Sequence, residues 1–331
     1  MTKVIDIHSH YFAEDTFANV PKEYSSDAPI LVKKSERVAY IKIGASSVGP
    51  VPPPFYSVEA RIGKKAEEGV DIEVLSVHPS MFFYHLDTER GGTFSKLQND
   101  AISECIKDNK DDFLGLATVP LQDVPKAIEE MTRAVKKLGM IGVEIGSNIN
   151  GKTLDEPSLR PFFKKAEELR TILFVHPNPI SSIGRERMSK YSLGLTIGNP
   201  ADTSLALASL INSGVLKEFP NLKLVFAHGG GFVPYQIGRL DKAYNLRKEE
   251  TSSTDESPSA SLKRVFVDSD VYEEKALQFL ISLMGASNVV IGTDSPMDMH
   301  DDRMVSKVKA LRLSPESEEL ILGGNLSKLM T

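Results

Sequence analysis

The chain has 331 residues, a length that suits one α/β barrel with insertions, because such barrels commonly need roughly 250 residues or more. Hydrophobic residues make up 41% of the chain and charged residues 25%, a balance that indicates a globular protein and excludes a disordered or fibrous one. The formal net charge of −6 argues against a broad basic surface. We therefore expect neither nucleic acid nor an anionic membrane as a partner.

Two further features bear on the compartment and on redox chemistry. The segment MTKVIDIHSH enters a strand-like run without a long apolar stretch, so it predicts neither a signal peptide nor a transmembrane helix. We accordingly expect a cytoplasmic protein. Cys105 is the only cysteine, which excludes an intrachain disulfide framework and a cluster of thiolate metal ligands. Metal ligands, where present, must be histidines and carboxylates.

Short β-branched runs alternate with segments of helical spacing along the chain, which specifies parallel strands joined by crossover helices. Eight such units fit a closed (β/α)8 TIM barrel better than an open sheet, because closure removes two exposed edges. An open doubly wound sheet is the alternative. We predict one barrel domain over residues 1–331, with strands at 4–7, 72–77, 113–119, 141–145, 172–175, 222–227, 264–267 and 289–292. The predicted helices include 59–68, 96–107, 124–137, 159–169, 203–212 and 273–284.

Three stretches do not fit this alternation. Residues 12–56 contain two strand-like runs, 30–32 and 37–43, before a proline-rich turn, which predicts an inserted β-hairpin after the first strand. Residues 178–200 follow the fifth strand and are rich in Ser, Gly and Pro. We expect both stretches to project at the barrel mouth as lids or pocket walls. Residues 249–261 are polar and rich in Ser, and they predict a mobile surface loop.

Histidines and an aspartate stand at the carboxyl ends of four predicted strands. His8 and His10 end the first strand, where a period of two places both imidazoles on one face. His176 ends the fifth strand in ILFVHPNP, His228 ends the sixth in LVFAHGGG, and Asp294 ends the eighth in VVIGTDSP. Each residue taken alone could be a capping or satisfied polar group. Because the strand ends of a barrel converge on one mouth, the five together predict a metal site.

The motifs DIHSH, FVHP, FAHGGG and IGTDSP resemble the amidohydrolase superfamily in order and in strand placement across the predicted barrel. The sequence HGGGFVPYQIGRL and the insertion after the first strand resemble its aminocarboxymuconate semialdehyde decarboxylase branch, which also includes aromatic acid decarboxylases and some hydratases. The resemblance implies that His8, His10, His176 and Asp294 are metal ligands. It also implies that His228 is a nearby general acid or base.

The number and kind of metal follow from the residues near these ligands. The fourth predicted strand ends in GVEIGS, without a lysine that could be carbamylated to bridge two metals as in dinuclear relatives. We therefore expect one divalent ion. Three imidazoles and a carboxylate with an open coordination position favour Zn²⁺, whereas Mn²⁺, the alternative, prefers more oxygen ligands. Asp268, at the end of the seventh strand, is expected to be a hydrogen-bond partner of a ligand histidine.

Two kinds of reaction use this ligand set. We predict nonoxidative decarboxylation of a carboxylated unsaturated or aromatic small molecule, in which Asp294 or His228 delivers a proton to carbon while the metal neutralises the carboxylate. The alternative is a hydrolase or hydratase in which metal-bound water attacks the substrate and Asp294 collects the proton. A barrel that has lost catalysis and serves as a scaffold is a third interpretation, which the intact ligand set disfavours.

Three further residues are predicted to contact the substrate. Arg239 lies about 12 Å along a helix from Gly231, at ~1.5 Å per residue, and so is remote from its own site. In the branch that this sequence resembles, the arginine of the GGGFVPYQIGR pattern reaches a neighbouring subunit to hold a substrate carboxylate, which implies a homodimer; a solvated helix arginine is the alternative. His78 and Phe82 could line a flat apolar pocket, although packing is the simpler interpretation. The matching stretch of the insertion, IGASSVGPV, contains no clamping arginine, so the exact substrate stays open.

Overall fold

A computed structural model describes residues 3–331, in which short strands alternate with helices as the hydrophobic pattern predicts. The strands are β1 (Ile5–His10), β2 (Ile30–Ser35), β3 (Val38–Ile43), β4 (Ser46–Val51), β5 (Ile72–Ser76), β6 (Phe113–Ala117), β7 (Gly142–Gly146), β8 (Asn148–Ile149), β9 (Lys152–Thr153), β10 (Ile172–His176), β11 (Lys223–Phe226), β12 (Phe266–Asp268) and β13 (Val289–Val290). The α-helices are α1 (Val58–Glu67), α2 (Thr88–Asp108), α3 (Val124–Lys137), α4 (Arg160–Glu168), α5 (Asn199–Asn212), α6 (Val215–Glu218), α7 (Val233–Thr251), α8 (Pro258–Leu262), α9 (Glu274–Met284), α10 (Met304–Ala310), α11 (Pro315–Glu319) and α12 (Asn325–Leu329).

Eight of the described strands form one parallel sheet in the order β1-β5-β6-β7-β10-β11-β12-β13. The sheet closes almost completely, because Ile7 N donates to Ile291 O at 3.1 Å and His10 N donates to Ser295 O at 2.7 Å. The predicted TIM barrel is confirmed, and closure places the carboxyl end of β1 beside the segment that follows β13. Among residues 3–331, none of the helices combines the length and the apolar character needed to cross a membrane.

Apolar side chains fill the lumen of the barrel below its mouth. Leu326 and Leu329 of α12 join this cluster and cover the amino-terminal end of the strands. A larger cluster lies between the strands and the surrounding helices, and another lies beneath the insertion. The other members of the lumen cluster come from the strands and, in the case of Ala227, from the residue directly after β11: Ile5, Ile7, Val74, Leu116, Ile172, Phe174, Val225, Ala227 and Val290. Polar side chains at the carboxyl ends of the strands are therefore confined to the mouth.

A β-bulge in β1 directs the first histidine into the lumen. The register between β1 and β5 shifts between Asp6 and Ser9. Ile7 packs in the lumen cluster, and yet the next residue, His8, also contacts the lumen residue Phe174, with ring centroids 5.1 Å apart. A regular strand would point consecutive side chains to opposite faces, so the bulge re-aims His8.

The insertion after β1 differs from the predicted hairpin. β2, β3 and β4 form a three-stranded antiparallel sheet, in which β4 covers residues that we expected to be a loop and part of a turn. The segment SSVGPV contains Gly49 and Pro50, which are poor strand formers. For this reason the sequence pattern did not predict β4 as a third strand. Proline is tolerated there because β4 lies at the edge of the sheet, where a missing N–H breaks no ladder bond.

The prediction of a mobile surface loop at 249–261 is wrong in part. α7 continues to Thr251, and α8 begins at Pro258 after Ser257, whose side chain accepts a hydrogen bond from Ala260 N. Serine followed by proline is a helix start signal, because the hydroxyl caps an N–H group and proline needs no donor in the first turn. Leu262 of α8 is buried in the main core.

Arg61 of α1 is a buried cation that joins three parts of the mouth. Its side chain is almost fully buried, and its Nε donates to Glu73 Oε2 at 2.8 Å. Its Nη1 donates to His10 O at 2.7 Å and to Pro54 O at 2.9 Å, and its Nη2 donates to Ser295 O at 3.3 Å. One guanidinium therefore holds the end of β1, the end of the insertion and the segment after β13.

We predict that Arg61→Met lowers the free energy of unfolding by about 3–5 kcal/mol, because it leaves Glu73 charged and buried without its partner. Urea denaturation of the variant and of the wild-type protein measures this loss. Arg90→Met is the matched control: Arg90 pairs with Asp27 at a partly exposed site, so its loss should stay within about 1 kcal/mol. Equal losses in the two variants would contradict the role given to Arg61.

Candidate metal centre

Four predicted ligands meet at the mouth of the barrel. His8, His10 and His176 are buried at the ends of β1 and β10, and Asp294 follows β13. One side-chain atom from each of these four residues lies within 4.8 Å of the others. Asp294 Oδ1 is 3.4 Å from His8 Nε2 and 3.2 Å from His10 Nε2. Residues far apart in the sequence are thus placed around one point by the convergence of parallel strands.

The Nδ1 atom of each ligand histidine has an acceptor, and this fixes which nitrogen faces the centre. A carbonyl or carboxylate oxygen can only accept a hydrogen bond, so Nδ1 carries a proton and Nε2 is the nitrogen that faces the centre. The three bonds are His8 Nδ1 to Asp268 Oδ2 at 2.8 Å, His10 Nδ1 to Val77 O at 2.9 Å, and His176 Nδ1 to Pro177 O at 3.0 Å. The expected partnership of Asp268 with a ligand histidine is present in the structure.

The donor set fits a divalent cation. His8 Nε2 is buried and makes no hydrogen bond to any residue from 3 to 331. Burial lowers the pKa of His8, but the carboxylates of Asp294 and Asp268 outweigh burial and raise that pKa to about 10. Burial raises the pKa of Asp294, and the charges of His8 and His10 more than offset it, so this carboxyl stays ionised at neutral pH. The site thus stabilises positive charge at the point where the four ligands meet.

A second group of possible ligands, His8, His228 and Asp270, shares a residue with the first group. Because His8 Nδ1 is bonded to Asp268, His8 has only Nε2 to offer and cannot bind two ions at once. A bridging lysine, which dinuclear relatives would carry on β7, is also absent, and the acidic residue of that strand is Glu144. Glu144 Oε1 lies 4.0 Å from His10 Nδ1, which is beyond hydrogen-bond distance. These contacts support one metal ion and not two.

His228 stands beside the ligands in a turn that needs glycine. Residues 228–231 all have positive φ angles, and Gly231 leaves no room for a side chain, since a Cβ atom there would lie 2.3 Å from Pro200 O. The His228 ring centroid lies 5.1 Å from that of His176 and 5.3 Å from that of His8. Burial, with the nearby charge of His8, lowers the pKa of His228 to about 4.

A pocket with two lobes opens above the ligands. The larger lobe, of about 360 Å³, reaches Asp270, Phe232 and Tyr235, whereas the smaller lobe, of about 240 Å³, reaches His78 and His176. Leu195, Asn199, His228, Asp294 and Met299 line both lobes. Leu195 and Asn199 come from the Ser-, Gly- and Pro-rich stretch that we expected to form a pocket wall.

The structure brings one of the three predicted substrate contacts to this pocket. His78 lines the smaller lobe. Phe82 instead packs in the main core, stacked on Tyr84 with ring centroids 5.4 Å apart, and lines neither lobe. Arg239 lies on the exposed side of α7 and lines neither lobe within this chain.

Sequence reasoning missed Asp270, which lies in the wall of the larger lobe. A signal was available, because Asp270 lies two residues after Asp268 at the carboxyl end of a barrel strand, where functional side chains concentrate. Tyr272, also in this wall, donates a hydrogen bond from its hydroxyl to Asp270 Oδ2 at 3.3 Å. The missed residues therefore belong to one segment after β12.

Comparisons with known proteins identify relatives of this chain. The chain is 34% identical over 326 residues to 2-amino-3-carboxymuconate-6-semialdehyde decarboxylase of Dictyostelium discoideum, over 97% of this chain and 89% of the relative. It is 26% identical to gamma-resorcylate decarboxylase of Rhodococcus jostii (strain RHA1), over 72% of this chain and 77% of the relative. A solved structure of 5-carboxyvanillate decarboxylase from Novosphingobium aromaticivorans DSM 12444, complexed with manganese and 4-hydroxy-3-methoxy-5-nitrobenzoic acid, has a TM-score of 0.82 at 23% identity, over 99% of this chain and 96% of that one.

The family model described as amidohydrolase matches residues 5–329, which is almost the whole chain. The solved structure shares the barrel fold, and the relative from Dictyostelium shares more than 30% of its residues over nearly its full length. The resemblance inferred from the four sequence motifs is thereby confirmed. The chain belongs to the amidohydrolase family.

Proposed function

We propose that this chain is a metal-dependent nonoxidative decarboxylase that acts on a carboxylated unsaturated or aromatic small molecule. The observation that carries the proposal is the convergence of three histidines and Asp294 on one point beside His228, at the floor of a pocket. The relatives named above are decarboxylases, which supports an enzyme of this class. A hydrolase or hydratase that uses the same ligands is the alternative.

In this proposal His8, His10, His176 and Asp294 hold one divalent ion. When bound, the ion neutralises the carboxylate of the substrate and polarises a neighbouring oxygen. Three imidazoles and one carboxylate suit zinc, and manganese, which the 5-carboxyvanillate decarboxylase structure contains, is the alternative. The expected cytoplasmic location stays a prediction.

Decarboxylation requires a proton at the carbon that carbon dioxide leaves. The electron pair of the broken carbon–carbon bond stays on that carbon, which then gains one proton in place of the carboxylate. His228 lines both lobes, and its lowered pKa keeps the imidazole neutral at pH 7, with one N–H group and one lone pair. Its Nδ1 has no hydrogen-bond partner among residues 3–331. We assign proton transfer to His228: its lone pair takes up a proton from solvent, and the resulting imidazolium delivers that proton to the carbon and returns to the neutral form. The ionised carboxylate of Asp294 is the second group that can take up a proton and pass it on.

The proposed activity is tested by carbon dioxide release from a panel of carboxylated muconates and hydroxybenzoates. We expect release by the wild-type protein, a loss of roughly 10²- to 10⁴-fold in His228→Ala with its metal retained, and loss of both metal and activity in His176→Ala. Elemental analysis of each variant gives the metal content. His85→Ala, a change at an exposed histidine outside both lobes, is the control and should keep full activity.

Two outcomes would contradict this assignment. Metal loss in His228→Ala would make His228 a ligand, and unchanged metal in His176→Ala would remove His176 from the ligand set. A metal-loaded wild-type protein that releases no carbon dioxide from any member of the panel, but adds water to an unsaturated or ester substrate, would establish the hydrolase or hydratase alternative.

Metal uptake should strengthen as pH rises. Because the pKa of His8 is raised to about 10, the metal-free site holds a proton at neutral pH, and an incoming ion must displace it. Below that pKa the apparent affinity for Zn²⁺ should rise about tenfold per pH unit, or roughly 100-fold from pH 6 to pH 8. Competition with a chromophoric chelator, corrected for its own protonation, measures the slope. An affinity that does not change over this range would show that His8 takes up no proton when the metal leaves.

We further propose that the active unit is a homodimer in which Arg239 of one copy binds the substrate carboxylate in the pocket of the other. Among residues 3–331, neither lysine nor arginine lines either lobe, so a cationic clamp must come from elsewhere. Leu195 and Phe232, both at the pocket mouth, are each more than 40% exposed, as apolar side chains at a contact between copies would be in an isolated chain. Arg239 is exposed on the helix that begins directly after Phe232.

Subunit mixing tests this arrangement. Arg239→Ala and His228→Ala should each be inactive alone, and mixing them under conditions of subunit exchange should restore about a quarter of the wild-type activity, because half of the dimers then carry one intact site. Arg247→Ala, an exposed arginine farther along the same helix, is the matched control and should stay active alone. Confirmed exchange without any recovery would rule out a shared site.

A further inference from the structure

Asp268, at the end of β12, is a buried carboxylate that accepts hydrogen bonds on both of its oxygens. The residue is 0% exposed. Its Oδ2 accepts a hydrogen bond from His8 Nδ1 at 2.8 Å. Its Oδ1 accepts two, from Gly229 N at 2.8 Å and from Asp270 N at 3.1 Å. One carboxylate thus contacts a predicted metal ligand on one side and, on the other side, the turn that carries His228.

The space around this carboxylate is closed, which fixes its orientation. A Cβ atom on Gly292 would lie 2.7 Å from Asp268 Cβ and 3.0 Å from His8 Cβ, so this packing requires glycine. Burial raises the pKa of Asp268, but the hydrogen bond and the charge of His8 more than offset burial, and the pKa lies below its ordinary value. The ionised group can only accept hydrogen bonds, so all three of its partners must be donors.

The hydrogen bond to Oδ2 decides which nitrogen of His8 can bind an ion. A metal-bound imidazole uses the lone pair of one nitrogen and keeps a proton on the other. Because Asp268 holds a proton on Nδ1, Nε2 is left for the ion, and Nε2 lies 3.4 Å from Asp294 Oδ1. An amide nitrogen in place of Oδ2 would face Nδ1 with a second donor and oppose this arrangement.

The hydrogen bonds to Oδ1 bear on His228 instead. His228 and Gly229 both have positive φ angles, and such a conformation persists only where its surroundings hold it. Gly230 N and Gly231 N donate to carbonyl groups of the turn and of the residue before it, whereas Gly229 N donates to Asp268. Asp268 therefore ties the turn to the end of β12.

We infer that Asp268 is a positioning residue with two separable tasks. Its Oδ2 keeps Nε2 of His8 available to the metal ion, and its Oδ1 fixes the turn that presents His228 to the pocket. This inference rests on the proposed function, in which His8 is a ligand and His228 carries the proton. It goes beyond that function because it assigns the orientation of both groups to a single side chain.

Two substitutions separate the tasks, because both remove the same negative charge. In Asp268→Asn the amide oxygen should stay toward the two main-chain N–H groups, since the reverse orientation creates two contacts between donors instead of one. The amide nitrogen then faces His8 Nδ1. Asp268→Ala removes every acceptor. Affinity of the full-length protein for Zn²⁺, measured by competition with a chelator, should fall about 10- to 100-fold in the alanine variant and at least as far in the asparagine variant.

Hydrogen–deuterium exchange of peptides that cover residues 226–232 measures the second task, with Zn²⁺ in excess so that every variant is loaded. We expect Asp268→Asn to exchange like the wild-type protein. Asp268→Ala should exchange about 10-fold faster at Gly229, because that N–H group has lost its acceptor. Asparagine would thus restore the turn without restoring the metal affinity, a combination that a general loss of structure does not produce.

Glu130→Gln is the matched control. Glu130 is a buried carboxylate on α3 that accepts hydrogen bonds from Asn99 and Arg133, and its substitution should change neither the affinity for Zn²⁺ nor the exchange of residues 226–232. If Asp268→Ala does not fold, Asp268→Ser takes its place, because a serine hydroxyl is too short to contact both His8 and Gly229.

Unchanged affinity for Zn²⁺ in Asp268→Asn would overturn the first task, and equal exchange in the asparagine and alanine variants would overturn the second. An equal loss of affinity in Glu130→Gln would show that the effect is not specific to Asp268. Failure of the proposed function would look different. No carbon dioxide would then be released from any compound, whereas the two measurements on Asp268 do not depend on turnover and would still test its tasks.

Discussion

The hydrogen bond from His10 N to Ser295 O, at 2.7 Å, joins the first strand of the barrel to the segment after the last, and the site depends on this closure. Asp294 directly precedes Ser295, so it reaches the two histidines of β1 only when the sheet closes. Arg61 binds the carbonyl groups of both His10 and Ser295 from α1, and so reinforces the same seam. The ligand geometry is therefore set by the main chain of the barrel and not by a loop, which is the arrangement that holds catalytic groups most tightly.

The buried histidines differ in pKa because their charged neighbours differ. The carboxylates of Asp268 and Asp294 raise the pKa of His8, so the centre favours a positive charge, which a divalent ion supplies. Burial and the charge of His8 lower the pKa values of His176 and His228, and both imidazoles stay neutral. His176 then offers Nε2 as a ligand because Pro177 O fixes its other nitrogen, whereas His228 lacks such a fixed partner and can exchange a proton. In the proposed function, side chains of one type thus take the roles of ligand and of proton carrier according to their neighbours.

The sequence predicted the site correctly where the hydrophobic pattern identifies a strand and the barrel fold determines where that strand ends. Apolar runs ending in His8, His176 and Asp294 predicted strand ends, and the parallel barrel brings strand ends together whatever their separation in the chain. The predictions failed where single residues decide the outcome. Gly49 and Pro50 hid an edge strand, because the low strand propensity of these residues does not reveal that they lie at the edge of a sheet, where a proline without an N–H group is tolerated. Asp270 was missed because it lies beyond the strand that the apolar run predicts, although its position two residues after Asp268 was a usable signal.

The central claim is that three histidines and Asp294 bind one divalent ion, and X-ray absorption at the metal edge of the reconstituted protein tests it most directly. The account predicts one ion per chain, about three imidazole ligands with oxygen completing the shell, and no scattering from a second metal. A metal–metal vector would contradict the argument that His8 can serve only one ion. A protein that retains no metal after reconstitution would contradict the metal centre itself.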